Sequence, residues 1–355
     1  MSQTRLSRLR ILIRERNLDA LLVTSLPNIR YLTGFAGSNA LLLVLPRTAV
    51  FITDQRYRQQ SREQVRGARR IIAKASLLEA LKEHRLLRRG RVGFEAEHLP
   101  YASYRALRRL LPAVTLRPQH GLVEHVALRK DATELALLEL AVRVTEQTFV
   151  QVLPKLRVGV RELDIAAEIT YLHRRLGAEG DAFEPIVASG ERGSLPHARP
   201  SVRKFRSGDM VTLDFGCTVG GYCADLTRTV AIGRASRRAR QAYQAVRDAQ
   251  EAAIAAMRPG MPAKELDLVA RSQLARAGLG RYFSHSLGHG IGLRIHEGPR
   301  LAPRSRDFLE TGNVVTIEPG VYLPGEFGIR IEDDLLVTED GCRLLTSVPK
   351  ELLVL

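Results

Sequence analysis

Two stretches of the sequence resemble each other closely enough to predict an internal repeat. One begins MVTLDFG and the other VVTIEPG, and their alignment places Asp214 on Glu318. In each stretch an apolar run leads into a glycine-containing turn, and a second run returns with another carboxylate, Asp225 or Glu332. Apolar runs bounded by turn residues are typical of β-hairpins. The sequence therefore predicts two hairpins of related structure, with a pseudo-two-fold relation between them.

The carboxylates in these apolar runs need a compensating partner. An ionised carboxylate in a buried strand is costly without a cation or a hydrogen bond, and carboxylates that face each other across a hairpin repel. The first hairpin alone leaves two explanations open, structural hydrogen bonds or a metal ion. The second hairpin favours the metal, because four carboxylates from two related hairpins can converge on one site.

The segment between the hairpins supplies histidines. It reads SHSLGHGIGLRIHE and contains His285, His289 and His296. Its glycines predict a turn and a strand rather than a helix. Imidazole together with hard carboxylate oxygens suits Mn, Fe, Co or Zn. Four carboxylates are too many for one ion and fit a bridged pair of ions about 3.5–4 Å apart.

These motifs resemble those of the pita-bread metallopeptidases, which comprise methionine aminopeptidase, aminopeptidase P and prolidase, with creatinase as a metal-free relative. The motifs LDFG, ADLTRT, GHGIGL followed by HE, TIEPG and IRIEDD match in that order. The resemblance covers essentially the whole chain, and the presence of an N-terminal domain favours the prolidase and aminopeptidase P branch. It implies a five-residue metal-ligand set, which is Asp214, Asp225, His289, Glu318 and Glu332.

The resemblance also implies roles for residues outside the ligand set. His197 lies in a Gly/Ser/Pro-rich loop and matches a substrate-binding histidine. His296 matches the second catalytic histidine of the family, whereas His285 is expected to have a structural role. Arg330 matches an arginine that orients the carboxylates. By strand parity its side chain is predicted to point to the same face as Glu332.

The activity implied by this resemblance is that of a dinuclear metallopeptidase acting on peptides with proline in second position. A hydroxide bridging two divalent ions, with Mn preferred over Co, Zn or Fe, would attack the carbonyl before proline. Glu318 would transfer the proton to the leaving nitrogen besides binding metal. His197 and His296 would stabilise the oxyanion and orient the substrate, with Arg330 as a further catalytic residue.

Three functions remain open at this stage. An Xaa-Pro dipeptidase is slightly preferred, and it needs a cation that pairs with the free carboxylate of proline, best an arginine. An Xaa-Pro aminopeptidase acting on longer peptides must leave that region open. A non-catalytic pita-bread binding module is the third, and the presence of all five ligands argues against it. The candidate cations for the dipeptidase are Arg294, Arg300, Arg304 and Arg306.

The length of 355 residues predicts two domains. Alternating helix-like and strand-like segments predict an α/β domain with a mixed sheet over residues 1–124. Long helices and antiparallel strands predict an α+β catalytic domain of the pita-bread type over residues 125–355. Residues 120–131 are predicted to be a linker, and Asn28–Phe35 is predicted to be a loop.

The amino-acid composition limits which binding partners and which cellular compartment we expect. The net charge is +16, with 54 Lys and Arg against 38 Asp and Glu. The arginines are scattered through helices without an interleaved aromatic patch, which predicts a basic surface rather than a specific nucleic-acid partner. Only three cysteines are present, and no apolar run could span a membrane, so a cytoplasmic location is expected. The resemblance implies a homodimer.

Overall fold

The computed structural model describes residues 2–355, with side chains described from Thr4 onwards. The chain folds into two compact units, of which the first ends at Ala127 and the second comprises Leu128–Leu355. Each unit has sheets of its own. Within the described residues, no helix is long and apolar enough to cross a membrane.

The first unit is an α/β structure built on a six-stranded sheet of order β4-β3-β2-β1-β5-β6. The strand pairs β1–β2 and β2–β3 are antiparallel, whereas β1–β5, β5–β6 and β3–β4 are parallel. The predicted α/β class with a mixed sheet is confirmed. The elements are α1 (Ser2–Glu15), β1 (Ala20–Val23), α2 (Leu26–Thr33), β2 (Ala40–Val44), β3 (Ala49–Thr53), α3 (Arg58–Gln64), β4 (Arg69–Ile72), α4 (Leu77–Glu83), β5 (Gly90–Glu95), α5 (Tyr101–Leu110), β6 (Val114–Gln119) and α6 (Leu122–Ala127).

One local prediction for this unit is wrong. The predicted loop at Asn28–Phe35 is largely the helix α2, which has proline in its first turn and ends at Gly34 in the left-handed conformation, with φ 85°. The backbone N–H of Ser25, just before the helix, donates to the buried carboxylate of Glu95 at 2.7 Å. That partner comes from a distant strand. The predicted linker at 120–131 includes the boundary between the units, after Ala127, and also a short helix, α6.

Most of the excess positive charge lies in the first unit, where Lys and Arg outnumber Asp and Glu by more than two to one. In the second unit the two classes nearly balance. The strongly basic character of the chain is therefore not a property of the unit that carries the predicted metal ligands.

The second unit combines long helices with mainly antiparallel strands. Its first helix is capped by Asp131, which forms a capping box with Glu134. The elements are α7 (Ala132–Val152), α8 (Glu162–Arg175), β7 (Gly180–Asp181), β8 (Ile186–Ser189), β9 (Met210–Phe215), β10 (Cys217–Val219), β11 (Tyr222–Cys223), β12 (Leu226–Ala231), α9 (Arg237–Ala256), α10 (Ala263–Arg276), β13 (Gly288–Gly290), β14 (Glu297–Leu301), β15 (Val314–Ile317), β16 (Gly320–Leu323), β17 (Phe327–Arg330), β18 (Asp333–Val337) and β19 (Cys342–Leu344).

The internal repeat is visible in the order of the strands. In the first copy β9 pairs with β12, and the small hairpin β10–β11 lies between them along the chain. In the second copy β15 pairs with β18, and β16–β17 forms the small hairpin. Each predicted hairpin therefore carries a smaller one at its tip. Close packing at the first tip requires glycine, because a Cβ on Gly216 would lie 1.7 Å from the carbonyl oxygen of Ala224.

Strand alternation directs one face of each strand pair to helices and the other to the predicted ligands. Leu213 and Phe215 of β9 are buried in a cluster with Phe149 of α7 and Ile169 of α8. Asp214, between them in sequence, points to the opposite face. In the second copy, the apolar cluster of β15 and β18 includes residues of α9 and α10. Full burial of each such Leu or Phe side chain contributes about 1.5–3 kcal/mol, so the helix packing fixes which way the carboxylates face.

Candidate metal centre

The five predicted ligands come from both copies of the repeat and from the strand between them. They all line one cleft of about 1040 Å³ within the second unit. Asp214 lies in β9 and His289 in β13, and the other three lie at or just beyond the ends of strands. The cleft is also lined by His197, His285, His296 and Arg330.

Three of these residues form the tightest group. Asp225, His289 and Glu332 each offer one ligand atom, and these atoms lie within 4.8 Å of one another. The Nε2 atom of His289 lies 3.7 Å from Oδ2 of Asp225 and 3.4 Å from Oε1 of Glu318. Two donor atoms that each coordinate one ion at about 2.1 Å lie no more than about 4.2 Å apart. The separations therefore suit atoms that share a cation.

His289 presents a lone pair to the carboxylates. Its Nδ1 atom lies 3.1 Å from the carbonyl oxygen of Gly290. Because a carbonyl oxygen only accepts hydrogen bonds, Nδ1 carries the proton and Nε2 is unprotonated. Burial, followed by the neighbouring His296, lowers the pKa of His289 to about 4. The ring is therefore neutral at pH 7 and held in the tautomer that a metal ligand needs.

The carboxylates are buried close together, and Arg330 is the positive charge beside them. Burial raises the pKa of Asp225, Glu318 and Glu332 well above the usual range, and neighbouring carboxylates raise each pKa further. The Oδ1 atom of Asp225 is buried without a hydrogen-bond partner. A divalent cation would compensate both the repulsion and this unpartnered oxygen. The donor set therefore fits the metal that the sequence predicts.

Arg330 binds Asp214 at one side of the group. Its guanidinium is buried and donates to the carboxylate of Asp214, to the hydroxyl of Tyr322 at 2.5 Å and, through Nε, to Oγ1 of Thr227 at 3.1 Å. The hydroxyl of Thr227 in turn donates to Glu332 at 2.6 Å. Arg330 and Glu332 are therefore both hydrogen-bonded to the hydroxyl of Thr227.

His285 supports this arginine through Tyr322. The Nδ1 atom of His285 lies 2.8 Å from the carbonyl oxygen of Ser286, and Nε2 lies 2.8 Å from the Tyr322 hydroxyl. Nδ1 must carry the proton, so Tyr322 donates to Nε2 and accepts from Arg330. Burial lowers the pKa of His285 to about 3. Both ring nitrogens are used in these hydrogen bonds, which leaves neither for a metal.

Three polar residues that the sequence reading missed hold the predicted ligands in place. Thr227 bonds Glu332, as described above. Thr316 lies 3.3 Å from Glu318 through its hydroxyl and accepts the backbone N–H of His289 at 3.1 Å. Asp334 accepts the backbone N–H of Asp225 at 3.0 Å. These three lie two residues along the chain from Asp225, Glu318 and Glu332, respectively, so strand parity could have found them.

His296 and His197 stand beside the ligand group rather than inside it. The His296 ring packs edge-on against His289, with 4.4 Å between centroids. Burial, followed by His197, lowers the pKa of His296. Glu297, the next residue after His296, pairs with Lys130 at 2.9 Å, and the Lys130 side chain is only 1% exposed. That buried ion pair fixes the segment that carries His296.

Two of the arginines that line the cleft already form ion pairs with carboxylates. Arg199 pairs with Glu184 at 3.3 Å, and Arg271 pairs with Asp267 at 2.9 Å. Among the four arginines predicted as candidates for carboxylate binding, all within the described chain, Arg300 alone lines the cleft.

Comparison with known proteins supports the assignment of both units. Residues 136–339 match metallopeptidase family M24, and residues 5–128 match the creatinase/prolidase N-terminal domain. The chain is 42% identical over 352 residues to the uncharacterized peptidase YqhT of Bacillus subtilis, covering 99% of this chain and 100% of that protein.

Solved structures give the same result for the fold. An Xaa-Pro dipeptidase from Bacillus anthracis superposes with a TM-score of 0.97 at 37% identity, covering 100% of both chains. An X-Pro aminopeptidase from Thermotoga maritima has a TM-score of 0.90 at 35% identity, covering 96% of this chain and 99% of that one. The chain therefore belongs to metallopeptidase family M24 and is a metallopeptidase with the pita-bread fold and a creatinase/prolidase N-terminal domain.

Proposed function

We propose that this protein hydrolyses the peptide bond that precedes proline, in peptides with proline in second position, and acts mainly as an Xaa-Pro dipeptidase. The observation that carries the proposal is the convergence of four carboxylates and the neutral His289 in one cleft, with a buried oxygen of Asp225 left without a partner. The substrate class is supported by the names of similar proteins, an Xaa-Pro dipeptidase among them.

The ligands we assign to a pair of divalent ions, with manganese preferred, are Asp214, Asp225, His289, Glu318 and Glu332. Ions bound there supply Lewis acidity, which polarises a carbonyl oxygen and lowers the pKa of water. Arg330, Thr227 and Thr316 orient these side chains through the hydrogen bonds described above, and Asp334 holds the backbone of Asp225. A homodimer and a cytoplasmic location stay predictions.

Glu318 is the group that we assign to proton transfer. Its Oε1 atom lies 3.4 Å from Nε2 of His289, inside the donor group and on the cleft wall. Proline nitrogen in a peptide bond bears no hydrogen, so it must gain a proton to leave as an amine. A carboxylate that accepts a proton from the nucleophile and returns it to this nitrogen meets that need.

His296 and His197 are assigned to the developing oxyanion and to the substrate. The lowered pKa of His296, caused first by burial, favours a neutral ring that can donate one N–H. A fixed N–H aimed at the oxyanion stabilises the transition state more than the ground state. His197 lines the same cleft at the side formed by residues 183–200.

Arg300 is the residue that we expect to distinguish a dipeptidase from an aminopeptidase. Ala-Pro should be cleaved at least about tenfold faster, in kcat/KM, than its C-terminal amide, because the amide leaves the guanidinium without its carboxylate partner. Arg300→Ala should remove most of that preference. Arg304→Ala is the matched control and should retain it.

An aminopeptidase that acts on longer peptides is the second candidate, favoured by the similarity to the X-Pro aminopeptidase of Thermotoga maritima. The same assay separates the two candidates when Ala-Pro-Ala is included. Equal kcat/KM values for Ala-Pro, its amide and Ala-Pro-Ala would reject the dipeptidase and leave the aminopeptidase.

A further inference from the structure

One buried carboxylate outside the metal centre makes an unusual number of hydrogen bonds. Glu162, the first residue of α8, is 0% exposed. Its Oε1 accepts from the backbone N–H of Ser189 at 2.8 Å and from the Ser189 hydroxyl at 2.7 Å. Its Oε2 accepts from the backbone N–H of Ser201 at 3.0 Å and from that hydroxyl at 2.7 Å. One side chain therefore binds two points that are twelve residues apart.

The segment between these two points is the histidine loop, residues 190–200, which carries His197. An arginine within it, Arg192, donates through Nε to Oε2 of Glu162 at 3.0 Å and through Nη2 to the carbonyl oxygen of Arg199 at 2.5 Å. Glu162 thus holds both ends of the loop directly and a third point through Arg192.

The histidine loop also contacts the residues that surround the metal centre. The carbonyl oxygen of Pro196, the neighbour of His197, accepts from Arg330 at 3.3 Å. Near the start of the loop the backbone packs directly on β17, because a Cβ on Gly328 would lie 1.8 Å from the carbonyl oxygen of Gly193. The histidine loop is therefore held at both ends by Glu162, and it contacts Arg330 at the residue next to His197.

We infer that Glu162 is a positioning residue for catalysis, which fixes the histidine loop so that His197 faces the substrate. The inference rests on the proposed function of His197. A carboxylate completely removed from water is costly unless donors compensate it. The hydrogen-bond donors to the Glu162 carboxylate are Ser189 and Ser201, at the two ends of the loop, and Arg192. A change at Glu162 therefore acts first on the loop.

Glu162→Gln tests this role with little change in volume. One of the two oxygens becomes an NH2 group, which cannot accept a hydrogen bond. In either amide orientation the NH2 group faces the N–H of Ser189 or of Ser201, so one end of the loop loses its acceptor. We expect kcat/KM on Ala-Pro to fall about 10- to 100-fold, since a misplacement of about 1 Å can cost about 10²-fold. The content of bound metal should stay the same.

A double-mutant cycle with His197→Ala separates positioning from a general loss of stability. If Glu162 acts through His197, Glu162→Gln should cost no more than about threefold in kcat/KM when His197 is already alanine. Amide hydrogen exchange measured by mass spectrometry should be faster over residues 189–201 in Glu162→Gln, while β9 and β12 stay protected. Glu162→Asp, which keeps the charge, should restore part of the activity.

Glu146→Gln is the matched control. Glu146 also accepts backbone N–H groups, including that of Val348 at 2.9 Å. It is not one of the described residues that line the cleft. This variant should lower the melting temperature and leave kcat/KM unchanged. If Glu162→Gln fails to fold, Ser201→Ala is the substitute, because it removes one hydroxyl donor to Glu162. It should lower kcat/KM and speed amide exchange over residues 189–201, both to a smaller extent than expected for Glu162→Gln.

Two results would overturn the inference. One is a folded Glu162→Gln protein with wild-type kcat/KM and wild-type exchange over residues 189–201. The other is that Glu162→Gln lowers kcat/KM by the same factor in the wild-type protein and in the His197→Ala variant. If the wild-type protein cleaves no Xaa-Pro peptide, the proposed function fails, and the exchange measurement still decides whether Glu162 fixes the loop.

Discussion

Asp225→Asn should abolish hydrolysis of Ala-Pro and reduce the bound metal at the same time. The replacement has the same shape but lacks the charge, and an amide nitrogen cannot coordinate a divalent ion as a carboxylate does. We expect kcat/KM to fall by more than about 10³-fold, beyond the 10²–10³-fold cost of losing one oxyanion donor. Metal analysis of the purified protein should show the loss directly.

The same variant should behave differently in thermal unfolding. Without metal, Asp225 is a buried carboxylate close to Glu332, and its Oδ1 has no hydrogen-bond partner. A neutral asparagine relieves that repulsion, so the melting temperature of the metal-free variant should equal or exceed that of the metal-free wild type. The increase in melting temperature on adding metal should disappear, because that increase depends on binding to the folded state.

Asp248→Asn provides the control for this experiment. Asp248 is exposed on α9, where it accepts from Gln244 at 2.7 Å. Its replacement should change neither metal content nor activity. An Asp225→Asn protein that kept its full metal content and its kcat/KM would show that Asp225 is not a ligand.

His296→Ala should separate chemistry from metal binding. We expect this variant to keep its metal while kcat falls about 10²–10³-fold, the cost of removing one oxyanion-side donor. The expectation follows from the position of His296, whose ring packs against His289 at 4.4 Å between centroids but stands outside the carboxylate group.

His289→Ala is the contrasting variant, since its Nε2 atom faces Asp225 and Glu318. It should lose metal and activity together. If instead His296→Ala lost the metal and His289→Ala retained it, the roles of the two histidines in this account would be exchanged.

Features encoded over a few residues could be predicted from the sequence. The repeat was visible because Leu213 and Phe215 flank Asp214 in a pattern that recurs around Glu318. Strand parity then accounts for which side chains face the core and which face the cleft. The resemblance of the flanking motifs supplied the candidate ligands, and the structure brings all of them to one cleft.

Features that depend on distant partners could not be predicted. The helix α2 was missed because the carboxylate that binds its N-terminal segment, Glu95, comes from β5, about seventy residues later. Glu162 reads as an ordinary first-turn acid of a helix, yet its donors lie 27 and 39 residues away. Similarly, sequence spacing left four arginines equivalent as carboxylate partners, and only the path of the chain places Arg300 on the cleft wall.

Metal removal from the wild-type protein tests the central claim most directly. The protein should be stripped with a chelator, its metal content measured, and its hydrolysis of Ala-Pro followed before and after adding Mn²⁺. We expect the purified, metal-loaded protein to contain about two divalent ions per chain. Hydrolysis should vanish as these ions are lost and return when Mn²⁺ is added. Full hydrolysis of Ala-Pro by protein shown to be free of divalent metal would contradict the account.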